Sequence, residues 1–179
     1  VSNSTWIQFS NPSNPELLAA GGIKLARPIL NRVVKDFKCA ATGDQTIQLR
    51  ELRGKKVVIY FYPKDSTPGC TVEGQNFRDL HTHFKRQNAV IFGVSRDSIA
   101  SHEKFREKHK FPFELLSDPD EKLCKQFDVI HEKTLYGRKF MGIERSTFLI
   151  DENGKLRQEW RKVKVKGHAD EVLEAVKNC

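Results

Sequence analysis

The sequence predicts an α/β fold, with a central mixed sheet and helices on both of its faces. Three observations carry that prediction. The apolar runs at 56–62 and 89–94, rich in β-branched and aromatic residues, have the character of buried strands. The segment between them has helical character, so strand, helix and strand form a unit with a parallel pair at its centre. Towards the C-terminus, Glu152-Asn153-Gly154 separates two strand-like runs at 145–151 and 155–161, which adds an antiparallel hairpin.

Each element has its own local reason. Segments 34–40 and 46–49 flank the turn residues Thr42-Gly43-Asp44 and predict a first hairpin. Strand 56–62 runs into Pro63, and helix 70–85 follows. Strand 89–94 leads to a helix over 99–109 and a short strand around 113–116. A helix over 119–127 has Pro119 near its start, where the missing N–H costs nothing. After the C-terminal hairpin, 169–176 is acidic in its first turn and apolar at Val172, Leu173 and Val176, as a docked terminal helix should be. Residues 1–29 differ from this pattern. Their first half is rich in Ser, Asn and Pro, and Glu16 precedes a short apolar stretch where a signal peptide would carry positive charge. They are expected to form an extension to a domain of residues 30–179.

Composition narrows the functional classes. A chain of 179 residues suits one domain with a real core, and 38% hydrophobic with 30% charged residues is ordinary for a globular protein. No run approaches the roughly 18 apolar residues of a membrane span. The net charge is +8, yet acidic and basic residues interleave along segments such as His102 to Lys108, the pattern of a solvated face. No nucleic acid or membrane partner is therefore expected. The basic stretch 161–166 alternates with apolar residues and predicts a strand with one wet face. Four cysteines occur, at Cys39, Cys70, Cys124 and Cys179, with no C-x-x-C pair to suggest a zinc site or a dithiol. Cys39 and Cys124 sit among apolar neighbours and are expected to be buried small hydrophobes. His81 and His83 point apart on a helix, so no metal is expected there.

The most informative stretch is Pro63 to Cys70. It places one cysteine at a strand-to-helix turn, in the first turn of the helix. Unpaired N–H groups and the positive end of the helix dipole favour a thiolate at such a place. Pro63 can cover the sulfur without offering a proton. The Thr67 hydroxyl can donate and accept. Gly69 allows close approach to the main chain, and Glu73, one turn after Cys70, could hold a cation near the sulfur. Read by itself, Arg145 is an edge cation paired with Glu144 or Asp151.

The pattern Pro-x-x-x-Thr-x-x-Cys-x-x-Glu at 63–73 resembles the active-site motif of peroxiredoxins. Phe61 to Asp65 and Thr67 to Cys70 are similar to the bacterioferritin comigratory protein branch, also called peroxiredoxin Q, and the likeness extends over residues 30–179. The resemblance implies a thioredoxin-like fold. It implies a peroxidase that reduces hydrogen peroxide and organic hydroperoxides through a sulfenic acid at Cys70, with no cofactor. It places Arg145 beside the sulfur, Arg161 being the nearby rival. The reductant it implies is an external thiol, either glutathione with glutaredoxin or thioredoxin, and it suggests a cytoplasmic protein, monomeric rather than dimeric.

The sequence departs from the two-cysteine pattern of many members. Gln75 stands where some carry a second thiol, and the region around Arg106 has none where others do. A one-cysteine cycle is expected. The alternatives are a two-cysteine peroxidase using Cys124, or a thiol–disulfide oxidoreductase without peroxidase activity. Lowering a thiol pKa from about 8.5 to about 6 raises the thiolate fraction about 30-fold at neutral pH. About tenfold or more is lost again as nucleophilicity falls. Most of the acceleration must therefore come from stabilising charge on the departing oxygen. Arg145, the N–H groups near Gly69 and Cys70, and the Thr67 hydroxyl are the candidates.

Overall fold

The computed structural model describes residues 27–179. Of the expected extension, only residues 27–29 fall within the described residues. Nine strands and four α-helices are described: β1 (Lys38–Ala41), β2 (Gln45–Gln48), β3 (Lys56–Phe61), α1 (Pro68–Arg86), β4 (Ala89–Ser95), α2 (Ile99–His109), β5 (Glu114–Ser117), α3 (Lys122–Gln126), β6 (Ile130–Leu135), β7 (Arg138–Ile143), β8 (Ser146–Ile150), β9 (Leu156–Trp160) and α4 (His168–Lys177). Seven strands form one mixed sheet in the order β2-β1-β5-β4-β3-β8-β9, and β6 and β7 form a separate hairpin. Strands β3, β4 and β5 are parallel. Strand β8 is antiparallel to β3 and β9 to β8.

Every residue of β3 is buried, as a central strand covered on both faces requires. Its side chains alternate between two cores. Val58 and Tyr60, with Tyr62 just after the strand, join Cys70, Phe77 and Phe84 of α1, Phe105 of α2 and Val172 of α4. Val57, Ile59 and Phe61 join Cys39, Cys124, Phe127 and Phe148 on the other face. Three helices thus cover one face of the sheet, and short α3 helps to cover the other.

Four local expectations shift. Helix α1 begins at Pro68, so Cys70 is its third residue; Pro at the helix start is pre-set for helical φ. The helix expected over 119–127 shrinks to Lys122–Gln126, because Glu121 before it takes a left-handed φ of 58°. Arg145 lies just before β8 rather than inside it. The basic stretch 161–166 is the loop from β9 to α4, not a strand. The β6–β7 hairpin had no counterpart in the sequence reading. Its turn, Tyr136-Gly137, has positive φ at both residues, 49° and 75°, the geometry of a tight hairpin turn.

Candidate active site

Chain direction brings the site together. Strand β3 ends at the turn Tyr62 to Thr67, which feeds α1 and so sets Cys70 at the carboxyl end of the parallel strands. Strand β8 runs the opposite way, with Ser146 opposite Phe61. Arg145, one residue earlier, therefore arrives at that same end. Its carbonyl accepts a bond of 3.0 Å from the Val163 N–H, and the Glu144 N–H donates to Val129 at 2.7 Å, so the approach is fixed on both sides.

Cys70 is 1% exposed. Arg145 Nη2 donates to its Sγ at 3.4 Å, while Nη1 pairs with the Glu73 carboxylate. The guanidinium fork thus spans the sulfur and a carboxylate one helical turn further on, with the rigid two-pronged geometry that lysine lacks. Neither Glu144 nor Asp151 is the partner. The rival cation, Arg161, is spent elsewhere: it donates to the Asp128 carbonyl at 2.6 Å and lies 5.1 Å from the centre of the Phe148 ring, on the opposite core.

Glu73 is buried, and its Oε1 has no hydrogen-bond partner. Burial pushes its pKa up to about 7, against the pull of the Arg145 guanidinium. Arg145 moves up from its ordinary value: its own burial opposes this, and the negative charges of Glu73 and Cys70 outweigh that opposition.

Thr67 caps α1, but its hydroxyl donates to the Lys64 carbonyl at 3.0 Å. The proton is committed to the turn, so towards a substrate this oxygen can only accept. The first N–H of the helix start with a helical bond is that of Thr71, to the Thr67 carbonyl at 2.9 Å. The N–H groups of Gly69 and Cys70 precede it, at positions that leave helix donors unpaired. A Cβ on Gly69 would sit 3.2 Å from Arg145 Nη2. This glycine therefore makes room for the guanidinium as well as for a ligand. Pro63 lies half-buried in the turn.

Three features lie beyond sequence reasoning. The β6–β7 hairpin brings Lys133 towards the site. Its pKa falls through burial and the nearby Arg145 charge, while Glu144 and Cys70 pull the other way. Gly74 packs on Phe111, whose Cε1 would lie 2.9 Å from an added Cβ. A groove of about 680 Å³ also borders the start of α1, lined by Pro68, Gly69, Val72 and Leu80 on one side and Val165 and Gly167 on the other.

The model of the AhpC/TSA family matches residues 30–159. The chain belongs to that family. Within the AhpC/TSA family its relatives include peroxiredoxin Bcp of Bacillus subtilis, 52% identical over 143 residues, spanning 80% of this chain and 91% of that protein. Peroxiredoxin Bcp of Xanthomonas campestris is 54% identical over 142 residues, spanning 79% and 89%. Among solved structures, Xanthomonas campestris peroxiredoxin Q matches with a TM-score of 0.76 at 54% identity, covering 79% of this chain and 90% of that one. A bacterioferritin comigratory protein from the same organism, 53% identical with a TM-score of 0.76 and covering 79% of this chain and 90% of that one, was studied for its alkyl peroxide reduction activity. These likenesses place this AhpC/TSA member in the bacterioferritin comigratory protein, or peroxiredoxin Q, branch, with the thioredoxin-like fold expected. It is a thiol-dependent peroxidase.

Proposed function

We propose that Cys70 is the peroxidatic nucleophile and that Arg145 stabilises the oxygen it displaces. The observation that carries this reading is the contact of 3.4 Å between Arg145 Nη2 and Cys70 Sγ, held in place by Glu73. The thiolate attacks the terminal oxygen of a hydroperoxide. An S–O bond forms and the O–O bond breaks. The departing oxygen keeps the bonding pair and takes up a proton, leaving as water or an alcohol. Sulfur is oxidised by two electrons to a sulfenic acid. The Arg145 guanidinium and the N–H groups of Gly69 and Cys70 are the donors for the charge that builds on the leaving oxygen. Thr67 accepts a hydrogen bond from the peroxide and orients it. The apolar side of the groove beside Gly69 suits the organic part of a larger hydroperoxide.

The cycle closes with an external thiol. Its sulfur attacks the sulfenic acid and releases water, and a second thiol reduces the mixed disulfide. Glutathione with glutaredoxin, or thioredoxin, supplies those electrons to a monomer working in the cytoplasm. Support for a one-cysteine cycle comes from the placing of the thiols. Cys70 and Cys124 belong to the cores on opposite faces of the sheet. Gln75 stands where some members carry a second thiol, and the region 104–107, where others do, has none; Arg106 within it pairs with Glu114 at 2.9 Å, tying α2 to β5. The test is mass spectrometry of the peroxide-treated protein with and without glutathione. Oxygen added at Cys70, then replaced by a glutathione adduct, is expected; an internal Cys70–Cys124 link refutes the one-cysteine cycle.

A further inference from the structure

Asp65 enters the motif at 63–73 only as a turn residue, yet its side chain is the most heavily bonded group near the site. The carboxylate points back into the molecule, 6% exposed. It accepts from the Tyr62 hydroxyl at 2.7 Å, from Ser101 Oγ at 2.7 Å, and lies 2.8 Å from His102 Nδ1. The other ring nitrogen of His102, Nε2, faces the Leu116 carbonyl at 3.0 Å. Both ring nitrogens of His102 are thus engaged. The Asp65 backbone N–H donates in turn to Asp97 Oδ2 at 2.9 Å. Burial opposes ionisation of Asp65, but the bonds from His102, Tyr62 and Ser101 hold its pKa below the ordinary value.

These bonds join parts of the chain that are far apart in sequence. Tyr62 follows β3, Asp97 follows β4, Ser101 and His102 lie in the first turn of α2, and Leu116 is in β5. The segment they grip is the turn that leads into α1. Ser66 in that turn takes a left-handed φ of 60°, a conformation that a serine does not hold without support. Thr67, the cap, comes next, and Cys70 three residues later. A buried polar group of this kind is costly unless fully bonded, and bonded fully it gives its segment one position. Asp65, Asp97 and His102 each bring a polar side-chain atom within 4.8 Å of the others, and the bonds described engage both oxygens of Asp65, both ring nitrogens of His102 and Oδ2 of Asp97.

We infer that Asp65 and His102 are positioning residues for the peroxidase step: they fix the turn that aims Thr67 and the N–H groups of Gly69 and Cys70 at the peroxide. The inference rests on Cys70 as the reacting thiol. Errors of about 1 Å in such an arrangement can cost about 100-fold in rate even when the change is remote from the chemistry.

The test compares two reactions of the same sulfur. Oxidation by hydrogen peroxide needs the aligned donors, because an oxygen must leave. Alkylation by iodoacetamide needs only an accessible thiolate. In Asp65→Asn and in His102→Gln, oxidation of Cys70 is expected to slow by about 10- to 100-fold, with alkylation close to that of the unchanged protein. Ser101→Ala, which removes one donor from an otherwise intact network, is expected to slow oxidation severalfold, and Ser101→Thr, which keeps the hydroxyl, to restore it. This pair decides the matter if the Asp65 variant does not fold. Unchanged oxidation in folded variants overturns the inference, and so does a parallel change in both reactions, which would mark general loosening. Failure of the unchanged protein to gain oxygen at Cys70 would overturn the assignment of the thiol itself, and the inference with it.

Discussion

Cys70 and Cys124 are almost equally buried, at 1% and 0% exposed, and their surroundings have opposite electrical character. Cys70 is the third residue of a 19-residue helix and takes a hydrogen bond from a guanidinium. Cys124 lies on a five-residue helix, where its own N–H donates to the Asp118 carboxylate at 2.7 Å. Burial, and after it the Asp118 charge, drives the Cys124 thiol far above its ordinary pKa. Cys39, on the same core, is pushed up to about 12 by burial and Asp118. The contrast separates depth from electrical setting: two sulfurs at the same depth meet different charges. A guanidinium faces the sulfur on one side of the sheet and a carboxylate stands beside it on the other, and a cation is the setting that favours a thiolate.

The largest expected effect breaks the favoured side outright. Cys70→Ser should abolish peroxide turnover under any reductant, measured by peroxide consumption; residual turnover through another thiol would dissolve the contrast. Arg145→Met keeps the bulk of the side chain and removes the cation. It should lose about 100-fold or more in the rate of sulfur oxidation, read by stopped-flow kinetics. The loss should exceed any change in thiolate fraction measured by alkylation against pH. Equal losses in the two would mean that Arg145 serves only to ionise the sulfur.

Smaller changes sharpen the comparison. Gly69→Ala places a methyl group 3.2 Å from Arg145 Nη2 and should push the guanidinium aside by a few tenths of an ångström. A loss of about tenfold is expected in oxidation rate, with little change in melting temperature. Glu73 gives a pH signature. Its folded pKa, about 7, lies above its ordinary 4.5, so the folded protein holds that proton more tightly than the unfolded chain. The resulting stability is fully present below about pH 4.5 and is lost as pH rises through about 7. Glu73→Gln has no such proton, so its melting temperature relative to the parent should improve steadily across that window; a constant difference would refute the shift. Least of all, Cys124→Ala should leave thiol-driven turnover unchanged while lowering stability modestly, as a small core truncation does. Loss of turnover under every external thiol would give Cys124 a part in the cycle.

The sequence displayed one half of this arrangement far better than the other. The apolar run at 56–62, the proline and the helix behind it mark Cys70 by local rules alone, because strand, turn and cap chemistry are written in neighbouring residues. Arg145 carries no such local mark. It is 75 positions from Cys70, and only the resemblance singled it out over Arg161. The β6–β7 hairpin escaped because four of its six β7 residues are exposed and its turn, Tyr136-Gly137, is not a common hairpin dipeptide. The bonds between Asp65 and His102 escaped for a different reason. They span 37 positions and join a turn to a helix face, and no periodicity records such a meeting. The charge alternation at 161–166 suggested a strand, but those residues serve as the loop whose Val163 N–H holds the Arg145 backbone.

The pairing of β8 with β3 has a consequence for the birth of the enzyme. During synthesis the sulfur emerges long before its guanidinium, and the two meet only when the last third of the chain has been made and has threaded back alongside the first parallel strand. A nascent or truncated product that lacks β8 therefore carries Cys70 without the Arg145 guanidinium beside it. Under the proposed mechanism, competence towards peroxide waits for β8 to pair with β3.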